Sequence, residues 1–494
     1  MSKKIVAKGA LFIYIETLIS MGSGYIFWFI MSKISSPEII GISSTVISLT
    51  VIFSTIASIG IPMGVQRFLG KSFSEKNLDV TKKFVKASFI LTSFGIIICS
   101  IIFIILQSWL YQTFSLDFSL LILSIILITS TTFMTLFRSI VISSLDTKML
   151  PLIMIIGTFV KILLAYALVV NDNGALGIMT GFIFVPILGS ILYSIILFKM
   201  VKSEKKNSRD NIINYYKDIF VSSLANWIPT IIYTIGSHLG TLLVFGAHGS
   251  TEAGIYFIAF SLSMAITALT SSLFTIAYPI QSSMQDGRKR FTWRIIKLSL
   301  VISLPFSTCM LFYSKEILSL FGPAYDTGSL TLEILLLSTL PMAITTGINN
   351  LAYSYGNYKQ VLTIGLSSNI PRTILYFALV PALEGVGAAI SYTVGTIIGF
   401  IFSLKVSKKN QLTIQWKDVI FTFVIPILIL LILNLIKLNF IIAIPVTLIS
   451  SYLLLIKLNI FNSADVIDLK NLLPNKVSES LSWLVRKIET KKRE

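Results

Sequence analysis

Charge is scarce in this chain. Asp, Glu, Lys and Arg together make up 13% of 494 residues, and only 22 of them are carboxylates, whereas an ordinary soluble domain carries about 25% charged residues. So few acids leave no paired-carboxylate constellation for acid-base chemistry, and no substantial polar loop to house one. Histidine and cysteine are rarer still, at two each. His238 and His248 lack the cysteine or carboxylate spacing of a metal site, and Cys99 and Cys309 lie in apolar runs, where they read as small apolar residues rather than a disulfide. No metal and no cofactor is expected. The first apolar run is full-length and lacks a small-residue cleavage pattern, so it is kept as a helix rather than a signal peptide.

What the chain has in quantity is hydrophobic sequence: 54% of residues, gathered in long runs. A membrane span needs about 20 apolar residues to cross roughly 30 Å. That length places spans near 9–31, 39–65, 86–106, 118–142, 149–170 and 175–198. A basic hydrophilic stretch at 199–211 follows, and then eight more spans near 213–246, 254–281, 294–313, 328–352, 360–381, 385–404, 418–436 and 440–458. The expected fold is therefore an all-α integral membrane protein with about 14 transmembrane helices.

The net charge of +18 reflects topology. With the N-terminus inside, the inner segments hold 35 of the 40 Lys and Arg, and the outer segments hold only Lys33, Lys315 and Lys437. This is the positive-inside pattern, and with an even span number it puts both termini in the cytoplasm. The basic ends are suited to anionic lipid head groups. No basic-aromatic module lies outside the membrane, so nucleic acid is not expected as a partner.

The two remaining cations, Lys161 and Arg372, lie inside spans. Sliding the chain 211 positions carries GTFVKILLAYALVVNDNGALG (157–177) onto SNIPRTILYFALVPALEGVGA (368–388). Lys161 falls on Arg372, Gly174 on Gly385, and the tripeptide Ala-Leu-Val on itself. A second correspondence joins SSPEIIGIS (35–43) with GSTEAGIYF (249–257). Spans five and eleven run in the same direction, so the repeat is parallel. The expected domains are an N-terminal lobe at 1–205 (spans 1 to 6), a C-terminal lobe at 206–410 (spans 7 to 12), accessory spans 13 and 14 at 411–461, and a tail at 462–494. The tail's apolar residues, from Val477 to Ile488, are spaced for an amphipathic helix on the membrane surface.

Lys161 sits roughly 14 Å from either end of its span, too deep to snorkel. A cation at mid-helix costs about 2.5 to 3.5 kcal/mol unless it faces water, a partner or the protein interior. Two at matched positions suggest a hydrated central cavity. The competing reading is neutralisation by a carboxylate, with Glu16 and Glu333 as candidate partners.

On these and further motifs the chain resembles the polysaccharide flippases of the multidrug/oligosaccharidyl-lipid/polysaccharide exporter superfamily. The resemblance rests on SIGIPMGVQRFLGKSFSEKN (58–77), LVVNDNGALG (168–177), FGPAYDTGSLTLEILLLS (321–338), YSYGNYKQ (353–360) and LVPALEGVGAAIS (379–391), in that order. It implies two six-helix bundles around a cavity open alternately to each side, with two accessory helices. The implied substrate is a lipid-linked oligosaccharide on a polyprenyl phosphate, moved from the inner to the outer leaflet of the cell membrane for surface glycan biosynthesis. Membrane lipids are the other expected partners, with glycan-assembly enzymes as candidates. A cationic cavity would suit phosphates whose hydration is reduced.

Beside Lys161 and Arg372, candidate substrate-binding residues are Arg67 and Arg138, at the inner ends of spans two and four, and Asn226 and Trp227 in the cluster NWIP. Interfacial anchoring and an interhelical hydrogen bond at a proline kink are the respective plainer readings. Glu16 and Glu333 are candidates for H+ or Na+ coupling. A cation-coupled multidrug exporter of the same superfamily is the first alternative function, but its cavity would be expected to favour carboxylates. An integral-membrane glycosyltransferase or polymerase is the second, and it lacks the loop and acids such chemistry needs. The chain is therefore expected not to be an enzyme.

Overall fold

In hydrocarbon a backbone must satisfy its own hydrogen bonds, so long apolar runs fold as helices. The computed structural model describes residues 3–75, 77–201, 212–436 and 438–461, and among them every regular element is helical. The first half contains α1 (Lys3–Ile34), α2 (Pro37–Ser58), α3 (Ile61–Ser74), α4 (Leu78–Ile105), α5 (Gln107–Phe114), α6 (Phe118–Ser144), α7 (Leu150–Val170) and α8 (Gly174–Val201). Then come α9 (Ile212–His248), α10 (Ser250–Ser283), α11 (Arg288–Phe312), α12 (Ser314–Ser319), a 3-10 turn (Pro323–Gly328), α13 (Ser329–Leu336) and α14 (Thr339–Ser354). The described part ends with α15 (Tyr358–Lys409), α16 (Trp416–Leu435) and α17 (Phe440–Lys457). The tail at 462–494, with its expected amphipathic helix, lies outside the described residues.

Twelve of the described helices are long and apolar enough to cross a membrane, and the bent pair Pro323–Leu336 with Thr339–Ser354 makes a thirteenth span. α15 has 52 residues. Straight, it would measure about 78 Å, more than twice the hydrocarbon thickness. Its helical geometry breaks at Glu384 (φ 53°, ψ −137°), where the chain turns back on itself. α15 therefore holds two spans, and the all-helical expectation of about fourteen stands.

Polar residues between the apolar runs set the helix starts. Ser36 accepts from the Ile39 amide with Pro37 in the first turn of α2, and Asp117 accepts from the Leu120 amide at 2.8 Å to start α6. One expected span, 39–65, is divided. Ile59 and Gly60 take left-handed φ values of 48° and 67°, ending α2 and starting α3. α9 passes close by at that break: a Cβ on Gly60 would come within 2.8 Å of the Ser223 carbonyl and the Trp227 Cβ.

Packing resolves two units, Met1–Phe257 with Val380–Glu384, and the remainder. The first is centred on Ile61, Val65, Leu136, Ile140, Tyr193 and Ile219, all essentially buried. In it α9 packs along α2, α3 and α4, so the division by packing falls later than the lobe boundary placed at 205/206 by the repeat. The amino ends of α2 and α10 also meet here. A Cβ on Gly41 would overlap the Ser250 carbonyl, and one on Gly254 would overlap the Pro37 carbonyl. These reciprocal contacts join the two segments paired by sequence as SSPEIIGIS and GSTEAGIYF. In the second unit Phe274, Ile296, Ile344 and Leu351 form the core, and α16 and α17 both pack on α11.

Candidate functional site

Lys161 lies midway along α7, and Arg372 midway along the first half of α15. Each is followed by a helix that returns beside it, and a pair of glycines sets the approach in both hairpins. In α8, Gly177 and Gly181 form a small-xxx-small pair. A Cβ on Gly181 would stand 2.5 Å from the Ala165 Cβ and 2.8 Å from the Lys161 carbonyl. In the second half of α15, Gly395 and Gly399 repeat the device. A Cβ on Gly395 would stand 2.6 Å from the Arg372 Cβ, and one on Gly399 would overlap the Ser368 hydroxyl. Close backbone approach of this kind is how membrane helices gain packing energy without a hydrophobic drive.

The approach puts an aromatic face against each cation. Lys161 is 6% exposed. Its Nζ lies 4.5 Å from the centroid of Phe27 on α1 and 5.2 Å from that of Phe182 on α8, and the two rings meet edge-to-face at 5.9 Å. Arg372 is 3% exposed, with its guanidinium carbon 4.0 Å from the Tyr392 ring. Nη1 donates to Asn369 Oδ1 at 3.1 Å and Nη2 to Thr396 Oγ1 at 2.9 Å, while Nε is buried with no acceptor. Cation–π contacts of this type are worth about 2 kcal/mol or more when desolvated. Shifted by the repeat of 211, Phe182 falls one residue from Tyr392. One aromatic partner of each cation thus lies at a nearly matching place in the repeat, whereas Phe27 shifts onto His238.

Among the described residues no carboxylate pairs with either cation. The partners suggested from sequence are engaged elsewhere. Glu16, 3% exposed, binds Arg138 as a fork: Nε to Oε1 at 2.7 Å and Nη2 to Oε2 at 2.6 Å. Glu333 accepts from the Ser314 hydroxyl at 2.6 Å. The fork between α1 and α6 has a plain cause, since a guanidinium presents two parallel donors to two carboxylate oxygens.

Trp227 has a structural partner too. Its indole Nε1 donates to the Thr55 carbonyl at 3.0 Å. That carbonyl sits in the last turn of α2, where the Ile59 amide bonds to Ile56 instead, and it is shared between the indole and the Ser58 hydroxyl, which donates to it at 2.8 Å. Arg67 and Asn226 lie on α3 and α9, and their side chains fall outside what the structure describes. Among the described residues the structure thus leaves Lys161 and Arg372 as buried cations without counter-charge, and joins Arg138 to Glu16. Sequence reasoning missed the ring partners and the glycine pairs, although GIMTG at 177–181 and GTIIG at 395–399 carried the signal.

The profile of a family described as polysaccharide biosynthesis protein matches residues 30–327, more than half of the chain. The chain belongs to that family. The match to the polysaccharide biosynthesis proteins includes Arg67, Arg138, Lys161 and Trp227 and ends before Arg372. An uncharacterized membrane protein of Methanocaldococcus jannaschii is 23% identical over 413 residues, covering 81% of this chain and 97% of its own. Among solved structures, the inward closed conformation of the lipid II flippase MurJ superposes with a TM-score of 0.72 at 15% identity, over 90% of this chain and 97% of its own. An inward-facing multidrug resistance MATE family transporter of the MOP superfamily gives 0.61 at 16% identity, covering 82% and 99%. A MOP superfamily transporter from Pyrococcus furiosus, reported with a binding pocket of reversed polarity, gives 0.57 at 14% identity, covering 83% and 99%. This polysaccharide biosynthesis protein therefore has the MurJ/MATE-like fold.

Proposed function

We propose that the chain is a flippase that moves a polyprenyl-phosphate-linked oligosaccharide from the inner to the outer leaflet of the cell membrane by alternating access, for surface polysaccharide or glycan biosynthesis. The single observation that carries the reading is the pair of buried cations, Lys161 and Arg372, at matched places in the repeat, held by ring faces and hydroxyl or amide dipoles rather than by carboxylates. Ring faces and dipoles stabilise a cation without cancelling its charge, so each centre keeps a field for an incoming phosphate. In this reading the lobes are 1–205 and 206–410, with accessory helices at 411–461 and both termini in the cytoplasm. The protein transports its substrate without a covalent step. Glu16 is the candidate for H+ or Na+ coupling, through exchange of its Arg138 partner during the cycle.

The test is transport by purified protein in vesicles, comparing translocation of a labelled lipid-linked oligosaccharide with efflux of cationic dyes. Lipid-linked sugar is expected to cross, and Lys161→Ala and Arg372→Ala are each expected to reduce that crossing with membrane insertion intact. Dye efflux without lipid translocation would refute the proposal in favour of a multidrug exporter.

A further inference from the structure

The first unit carries a groove that the transport reading leaves unused. It has a volume of about 590 Å³ and lies among α4, α6 and α8. Lys82 and Lys86 stand at one end, one helical turn apart on α4. Phe89, Phe133 and Phe137 form one wall, and Ile191, Ser194 and Phe198 line the other side.

The wall is aromatic. The three phenyl groups lie nearly parallel, with interplanar angles of 15°, 9° and 6° and centroids 5.3 to 6.3 Å apart. Together they form an apolar stack along the groove. The two hydroxyls on the α8 side add no polarity, because each is turned back into a helix. Ser190 donates to the carbonyls of Ser130 and Pro186 at 2.8 and 2.7 Å, and Ser194 to that of Ile191 at 2.8 Å.

Depth matches one leaflet. From Lys82 to Phe89 the helix rises about 10 Å, within the roughly 15 Å half-thickness of the hydrocarbon. α4 begins at this end, whereas α6 and α8 finish here, so the lysines sit at an interface and the rings below it. Lys86 is exposed, and none of the described residues that line the groove is a carboxylate. Any exposed helix face in a membrane touches lipid. A concave apolar track with the exposed Lys86 at its mouth also selects a head group, because basic pockets between helices hold anionic lipid heads.

We propose that this groove is a binding site for one anionic phospholipid of the surrounding bilayer, its phosphate against the exposed Lys86 at the mouth and one acyl chain along the Phe89, Phe133 and Phe137 stack. The lipid of the transport reading is placed at Lys161 on α7, a residue that does not line this groove.

Native mass spectrometry of the full-length protein, with phosphatidylglycerol, phosphatidylcholine or a polyprenyl phosphate added in turn, tests the site. Phosphatidylglycerol is expected to be retained over phosphatidylcholine, and Lys86→Glu should reduce that preference about tenfold or more, with Lys86→Arg keeping it. Ser194→Trp, which fills the groove, should lower retention whatever the head group, and it tests the chain track without touching the cations. Equal retention of the two phospholipids by the native protein would overturn the site. So would a Ser194→Trp variant that binds like the native protein, or loss of polyprenyl phosphate rather than phosphatidylglycerol in Lys86→Glu. None of these readouts needs transport, so the site stands or falls apart from the flippase reading.

Discussion

Replacing Arg372 by methionine separates a functional charge from a structural one. In the native protein the guanidinium has two hydrogen bonds and a ring face, at 3.1, 2.9 and 4.0 Å. Hydrogen bonds to a charged group contribute about 1.5 to 3 kcal/mol each, and a desolvated cation–π contact about 2. Against that total of roughly 5 to 8 kcal/mol stands the burial of an ion with no counter-charge, which costs several kcal/mol even after relaxation. The two nearly cancel. Methionine removes both terms and fills much of the same volume. Little is orphaned, because Thr396 Oγ1 still donates to the Tyr392 carbonyl at 2.8 Å and the Asn369 amide still donates to the Gly365 carbonyl at 2.8 Å. Thr396 Oγ1 and Asn369 Oδ1 each lose a donor, and Asn369 Oδ1, which has no other bond to keep, costs about 1 kcal/mol. Stability should therefore stay within about 2 kcal/mol of native, a shift of a few degrees in melting temperature. Transport should fall at least tenfold, since a unit charge near a phosphate contributes well over 1.4 kcal/mol in a partly dehydrated site. The assay is a thermal melt of detergent-purified protein beside vesicle translocation of a labelled lipid-linked sugar. A melt lowered by more than ten degrees, or transport at the native rate, would refute the reasoning.

Two further substitutions probe the neighbouring elements. Glu16→Ala leaves Arg138 without its fork, and because the Arg138 side chain is 30% exposed the loss should be about 2 to 3 kcal/mol, below the value for a fully buried pair; adding Arg138→Ala should cost less than the sum of the two single changes, and strict additivity in a double-mutant cycle by thermal melts would remove the coupling. Gly181→Leu should force α7 from α8 and draw Phe182 off Lys161, destabilising by about 3 kcal/mol or more; an unchanged melting temperature would contradict the close approach.

The fold could be read from the sequence because hydrocarbon leaves few choices. Runs of apolar residue longer than a bilayer is thick must be helices, and Lys and Arg accumulate at one set of ends. The repeat was legible because Lys161 and Arg372 are conspicuous in such runs. What surrounds them was not. Phe27 lies 134 positions before Lys161, and nothing in a run of phenylalanines marks the one whose face meets an ammonium. Glu16 shows the same difficulty from the other side. Sequence marks it as too deep to be idle but does not choose among Lys161, Arg138 and solvent, and the choice depends on α1 packing where α6 presents its guanidinium. The break at Ile59 and Gly60 was hidden because an apolar run continues through it.

The chain treats the cations within its helices in two ways, and the difference bears on what they do. Arg138 has a carboxylate in a fork, so the pair is close to neutral at any distance beyond its own length. Lys161 and Arg372 are given ring faces, a hydroxyl and an amide, whose stabilisation falls off over a few ångströms and leaves the net charge in place. A purely structural role would be served better by the first arrangement, or by an apolar residue of the same volume. Two matched exceptions, each held by a glycine-tightened hairpin, mark positions where an uncancelled positive charge in the membrane has been kept despite its cost. Such a charge attracts an anion and repels the cationic drugs that a multidrug exporter of the same fold would have to admit.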